Sequence, residues 1–347
     1  MKATLPLLSI LALPLFATTV FTIPQGYTKI TIPAASGGTP SLTAISTNLY
    51  NDTEFSGTVT INADFNADPD SDLTTTDTSQ TLTVSGASFT TGEFTTDPYL
   101  AYLINASGAE EAFLITDHTA TTLTLDGAFD LLADSRFTTS STLKIRKANT
   151  VGSILGTTDT PFSSNDRAYI WTGSNWQTLI AASGNWFFIG GPGGLATDAV
   201  IFPEEGIFIQ RTETTDAVLT FFGEIPSTPQ TTTVAGLSSA FISTRFPSGD
   251  ATSAQGIVGH RLADLDIDEI PGWNSTDRAF HWNGSEWQTL ISAGSSWFFI
   301  GGALNGTSAN DLIVEANSAL FLSRSSAGTA SASTLTLELP YPIILSE

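Results

Sequence analysis

Cysteine is absent from this chain, and histidine and methionine nearly so, with three His and one Met in 347 residues. Without thiols the fold can hold no disulfide and no thiolate metal centre. That does not bar export, because a chain of this length buries enough apolar surface to fold unstapled. His118, His260 and His281 lie far apart and never at a metal-ligand spacing. No G-x-S-x-G elbow and no phosphate-binding loop occurs. Gly190–Gly194 lacks a lysine and follows an aromatic segment, so it reads as a turn. Positive charge is scarce: 12 Lys and Arg stand against 34 Asp and Glu, a net charge of -22. This argues against nucleic acid and anionic membrane surfaces as partners. Charged residues make up only 13%, and Thr and Ser fill the polar positions instead. With few Lys, Glu and Arg to favour helix, the composition points to β structure.

One long apolar run stands near the start. In Met1–Thr22, Lys2 precedes the apolar stretch Leu5–Phe16, followed by the small residues Ala17, Thr18 and Thr19. This is the layout of a secretory signal. An N-terminal anchor is the alternative, but the run is too short to span a bilayer. No later segment reaches spanning length, so the expected location is secreted or cell-surface, with no membrane span in the mature chain.

The most informative feature is a duplication. Asp166–Gly191 reads DRAYIWTGSNWQTLIAASGNWFFIGG, and Asp277–Gly302 reads DRAFHWNGSEWQTLISAGSSWFFIGG. About 18 of the 26 positions agree without a gap, at an offset of about 111 residues, which marks an internal repeat. Each copy begins with two short strands around a Gly-containing polar turn, a β-hairpin pattern. Trp171 and Trp176 flank one turn, Trp282 and Trp287 the other. The period of two places Tyr169, Trp171, Trp176, Thr178 and Ile180 on one face, with Phe280, Trp282, Trp287, Thr289 and Ile291 as counterparts. Because these exchanges are conservative, this face is expected to be the core face. Ile170 and His281 occupy the other face, where partial exposure is expected. Trp186–Ile189 and Trp297–Ile300 follow as strands buried on both sides. Each unit continues through Gly206–Arg211 or Ala319–Arg324 and closes at Ala217–Gly223 or Thr334–Leu339, giving about six strands.

The fold class is therefore all-β, with two homologous β-sandwich or barrel-like units and a small inserted β domain. The boundaries are 1–22 for the signal, 23–57 plus 148–226 for the first unit, 58–147 for the insert and 227–347 for the second unit. Strands in the insert are expected at Thr81–Val84, Tyr99–Ile104, Glu111–Thr116, Thr121–Leu125 and Leu143–Arg146, with one helical turn at Ala128–Ala133.

The segment Thr95–Ile104, followed by Gly108–Ile115 and Thr119–Leu125, resembles a family of uncharacterised secreted bacterial proteins with paired Trp-hairpin repeats. The start Gly26–Pro33 and the hairpins themselves carry the same resemblance, which covers most of the chain. It implies export and brings no catalytic activity with it.

Three constellations could carry chemistry. Asp64, Asn66, Asp68, Asp70 and Asp72 alternate as short oxygen ligands that could wrap one Ca²⁺. Pro69 stands where an EF-hand needs glycine, so the alternative is a solvated acidic loop. Asp264–Glu269 alternates similarly, with Leu265 and Ile267 suggesting an edge strand with outward carboxylates. Among the aromatics, Trp273 lies outside the repeat in a loop-like Pro-Gly-Trp-Asn context and is the candidate ligand platform; the other six tryptophans read as core. The leading functional expectation is a secreted, non-catalytic structural or surface-interaction protein of the cell envelope or matrix. Its self-assembly could proceed by strand exchange through Phe21–Pro33 or Leu335–Ser346. The alternatives are a protein that binds extracellular polysaccharide and a secreted hydrolase working through carboxylates, the latter marked by inward carboxylates in a cleft.

Overall fold

A computed structural model describes residues 24–61, 79–126, 137–190, 193–234, 236–254, 256–325 and 333–341. The acidic stretch holding Asp64, Asn66, Asp68, Asp70 and Asp72, the leader expected at 1–22 and the helical turn expected at 128–133 lie outside the described residues. The chain is all-β, and the duplicated segments adopt the same structure. In the first copy Arg167–Trp171 pairs with Trp176–Ala182 so that Trp171 faces Trp176. In the second, Arg278–Trp282 pairs with Trp287–Ser292 with Trp282 opposite Trp287. The predicted turns close as expected, by Thr172 N–H to Asn175 O and Asn283 N–H to Glu286 O.

Each unit is a two-layer sandwich. In the first, an antiparallel sheet runs in the order Ser41–Ser46, Gly206–Arg211, Arg167–Trp171, Trp176–Ala182, Asn185–Ile189. A two-stranded ribbon, Gln25–Ile32 with Ala217–Glu224, covers one face. Between them lies a core of Ile30, Ile32, Ile45, Ala168, Leu179, Trp186, Ile207 and Leu219. The second unit repeats the plan, with the ribbon Gln230–Val234 and Ser333–Leu337 over the sheet containing Ser239–Ser243 and Ala319–Ser323. Its core holds Leu290, Trp297, Leu322 and Leu335. Both terminal strands are thus already paired inside their own units, so a strand-exchange assembly would first have to unpair them.

A buried aspartate pins the start of each hairpin. Asp166 is fully buried, accepts from the N–H of Thr212 at 2.7 Å and of Ser163 at 3.0 Å, and pairs with Arg211 at 3.1 Å. Its counterpart Asp277 accepts from Ser325 and Asn274 N–H, while Arg324 turns instead to the carbonyls of Val234 and Pro271. The two buried carboxylates, each accepting two backbone N–H groups, fix register, because leaving such a donor unpaired costs about 1–3 kcal/mol.

The insert is a closed six-stranded barrel. Glu110–His118, Tyr99–Ile104, Ser140–Lys147, Thr53–Ile61, Ser79–Val84 and Thr122–Asp126 pair in that order, and the last strand returns to the first. Its first strand starts at Thr53, a few residues ahead of position 58. The barrel has its own core, including Val59, Leu82, Leu103, Leu123 and Ile145. Glu110 pairs with Gln230, which joins the barrel to the second unit's ribbon.

A buried polar network locks the three bodies together. Arg146 of the barrel donates through Nε and Nη2 to Glu224 of the first unit, both at 3.1 Å, and lies 3.6 Å from Glu110. Its guanidinium stacks between Tyr50 and Tyr102, 4.8 and 4.6 Å from the ring centres. Tyr50 donates to Gln230, which also accepts from Arg245 at 3.0 Å, and Arg245 reaches Glu204 at 3.1 Å. Among the described residues no helix is long and apolar enough to cross a membrane.

Candidate functional site

The repeated tryptophans divide into two groups. Trp186 and Trp297 are fully buried in their own units. Trp171, Trp176, Trp282 and Trp287 are not. The small and aliphatic residues Ala168 and Leu179 point into the unit's own core, whereas the Tyr169–Trp171–Trp176–Thr178 face turns toward the other unit. This corrects the expected assignment of faces. On the opposite face Ile170 is partly buried, as expected, but His281 departs from the partial exposure expected there. His281 is buried, bonded to Gln288 at 3.0 Å, and burial lowers its pKa so that the ring stays neutral near pH 7. The Trp-Phe-Phe-Ile strands are likewise less enclosed than expected, with Ile189 and Ile300 exposed.

The two sheets meet across a local pseudo-two-fold axis. Gly206 and Ala319, which occupy equivalent positions in the repeat, touch there; a Cβ on Gly206 would lie 2.4 Å from that of Ala319. Contacts then come in matched pairs. Trp171 Nε1 donates to Ser239 O at 2.7 Å, and Trp282 Nε1 to Leu42 O at 2.9 Å. Trp171 meets Phe321 edge-on at 5.0 Å, and Trp282 meets Phe208 edge-on at 5.3 Å. Trp176 stacks on Phe321 at 5.8 Å and 27°, and Trp287 on Phe208 at 5.4 Å and 24°. Asn48 bonds across the same seam, donating to Phe246 O at 2.8 Å and accepting from Ser243 Oγ at 2.8 Å.

On this axis the sheets leave an open cleft of about 620 Å³. Its walls are Trp176, Trp287, Phe208, Phe321, Phe280 and Tyr169, with Leu42, Thr178, Thr289 and Gln210. Trp176 and Trp287 remain 36% and 38% exposed, unusual for indoles so closely backed by other rings. Among the described residues the lining holds no carboxylate, ammonium or guanidinium. Its symmetry is broken at one end, where the Tyr169 hydroxyl donates to Gln210 Oε1 at 2.9 Å while the equivalent positions are Phe280 and Ser323.

Trp273 sits elsewhere. Its indole is half-buried against the second core, 6.0 Å from Trp297, and donates to Ser292 at 3.1 Å. The exposed platforms are Trp176 and Trp287, which sequence reasoning assigned to the core. One signal pointed to them: each stands immediately after a polar turn, at a hairpin tip. Asp264–Glu269 is not an edge strand but two successive 3-10 turns, Leu262–Leu265 and Ile267–Glu269, with Leu265 and Ile267 buried and Asp266 left-handed at φ 50°. Among the described residues no group of three or more His, Asp or Glu could hold a metal ion.

A second cleft, of about 520 Å³, lies where the barrel meets both units and is lined partly by Glu111, Asp126, Glu204 and Glu205. Burial pushes the Glu205 carboxyl up to about 8, with the neighbouring Glu204 adding to the shift and the Phe202 N–H opposing it. Burial also raises Glu204, against the pull of Arg245. Glu205 binds its proton more tightly folded than unfolded, so its contribution is complete below about pH 4.5 and is lost as pH rises toward 8. Thermal melts across this window should show Glu205→Gln gaining on the wild type by about 1–3 kcal/mol at pH 8 and little at pH 4.5. Parallel curves would contradict the burial of this carboxyl.

No family model, no curated protein and no solved structure matches this chain. The geometry must therefore carry the functional reading.

Proposed function

We propose that this chain is an exported, non-catalytic surface-interaction protein that grips an extracellular polymer in the cleft between its two units. The observation that carries this reading is the pair of exposed indoles, Trp176 and Trp287, held in an uncharged cleft by a duplicated scaffold. Ligand sites are typically concave, mainly apolar and furnished with a few placed polar groups. The leader-like residues 1–22 and the acidic composition support export. The buried network at Arg146 supports a rigid mount rather than a hinge. Cell fractionation tests the proposal: the wild type should partition with the envelope or matrix, and the Trp176→Ala/Trp287→Ala double variant should move to the soluble fraction while keeping its fold. Unchanged partitioning would count against it.

A carboxylate-dependent hydrolase is favoured only by the junction cleft, where a Glu205 protonated at neutral pH has the state a general acid needs. Its neighbours have structural work already. Glu204 pairs with Arg245, and Glu205 accepts the Phe202 N–H of its own turn at 2.9 Å. The non-catalytic reading therefore stands as the conclusion.

A further inference from the structure

We infer that the occupant of the dyad cleft is an uncharged polysaccharide, with one sugar ring seated on each of Trp176 and Trp287. This inference rests on the cleft being the contact surface proposed above and names the class of ligand it takes.

Three features select that class. First, each indole has one side fixed by protein, Trp176 by Phe321 and Trp287 by Phe208. Trp176 is further wedged edge-on against Phe241 at 5.2 Å and Trp171 at 5.3 Å. The rings are held rigid before any ligand arrives, so little ordering is needed on binding. An aromatic face carries negative charge density and an aromatic edge positive. The C–H face of a pyranose is apolar and weakly positive, so it complements an indole face.

Second, a sugar also carries hydroxyls around its edge, which lose water on binding and need partners. The cleft supplies neutral polar groups at its margin: the Thr178 and Thr289 hydroxyls, the Tyr169 oxygen and the Gln210 side chain. Tyr169 donates to Gln210 Oε1, which orients the amide with its N–H groups as donors. A hydrocarbon chain would offer no partner to the Thr178 and Thr289 hydroxyls or to the Gln210 amide N–H groups.

Third, among the described residues no ionised group lines the cleft, and the chain carries a net charge of -22. An acidic polymer would be repelled at long range and would meet no cation on arrival. A small organic cation would be drawn by the same field and by the rings. Its natural seat is a tight cage, whereas an open volume of about 620 Å³ has room for a chain segment covering both indoles.

The experiment titrates the full-length protein with an uncharged glycan panel spanning β- and α-linked glucans, chitin oligomers, xylan and mannan. Calorimetry and tryptophan fluorescence provide the readout. Choline and an acidic glycan serve as the competing classes. At least one uncharged glycan should bind and perturb indole emission. Trp176→Ala and Trp287→Ala should each weaken it about tenfold or more, Trp176→Phe should recover part of the loss, and Gln210→Ala should weaken it severalfold. Melting temperatures confirm that the variants remain folded. The inference is overturned if no uncharged glycan binds, if only choline or the acidic glycan does, or if the substitutions leave glycan affinity unchanged. Loss of surface partitioning in the double variant without glycan binding by the wild type would overturn the ligand class and leave the contact surface standing. Failure of both would remove both.

Discussion

Glu224→Ala should destabilise the protein by about 3–5 kcal/mol, because it strands Arg146 in the interior without its main partner. Arg146 and Glu224 are each 3% exposed. Glu224 also accepts the Thr53 N–H at 2.6 Å and the Thr53 hydroxyl at 2.8 Å, so its loss leaves several donors unsatisfied at once. The contrast is the Lys147–Asp97 pair, whose side chains are 46% and 50% exposed. Lys147→Ala should change stability by less than about 1 kcal/mol, since water screens an exposed pair. Paired denaturation curves decide the point. Equal, small effects would mean that the three bodies are not locked through Arg146.

Trp297→Ala carries a comparable expected loss, about 3–5 kcal/mol, because it empties the centre of the second core. Trp297 is fully buried, and Leu290 and Leu322 are members of the same cluster. Trp287→Ala, ten residues earlier and equally repeated in sequence, should cost only about 1–2 kcal/mol, since its ring is already partly in water. The two substitutions thus separate indoles that build the units from indoles that serve the cleft. Similar losses for both would place Trp287 in a core and remove the platform.

Local pattern made much of this architecture readable. Turn chemistry and alternation placed both hairpins and their Trp–Trp register, and all the strands expected in the insert are present in its barrel. The role of each face was not readable. In the central sheets both faces are matched between copies, Ala168 and Leu179 on one side and Trp171 and Trp176 on the other. Pairwise similarity says that a face is buried or used, but not against what. Here one face meets its own ribbon and the other meets the second unit. Asp264–Glu269 misled because alternation of apolar residues fits either a strand or two short turns separated by a left-handed residue; Asp266 supplies that residue. Trp273 misled because a Pro-Gly loop can still fold an indole back onto a core. The Arg146 network left no local trace, since Arg146 and Glu224 are 78 residues apart.

The most direct measurement of the central claim, that two like units clasp across a pseudo-two-fold seam, uses the absence of cysteine from the chain. Glu205 and Ile242 face each other as an antiparallel bridge between the units, with Ser243 N–H donating to Glu204 O at 2.8 Å. Residues so opposed lie about 4.5–5.5 Å apart at Cα, within disulfide range. The variant Glu205→Cys/Ile242→Cys should form one intramolecular disulfide quantitatively on mild oxidation, read by thiol titration and by mass of a peptide linking the two units. Two free thiols in the folded, oxidised protein would contradict the seam and with it the cleft.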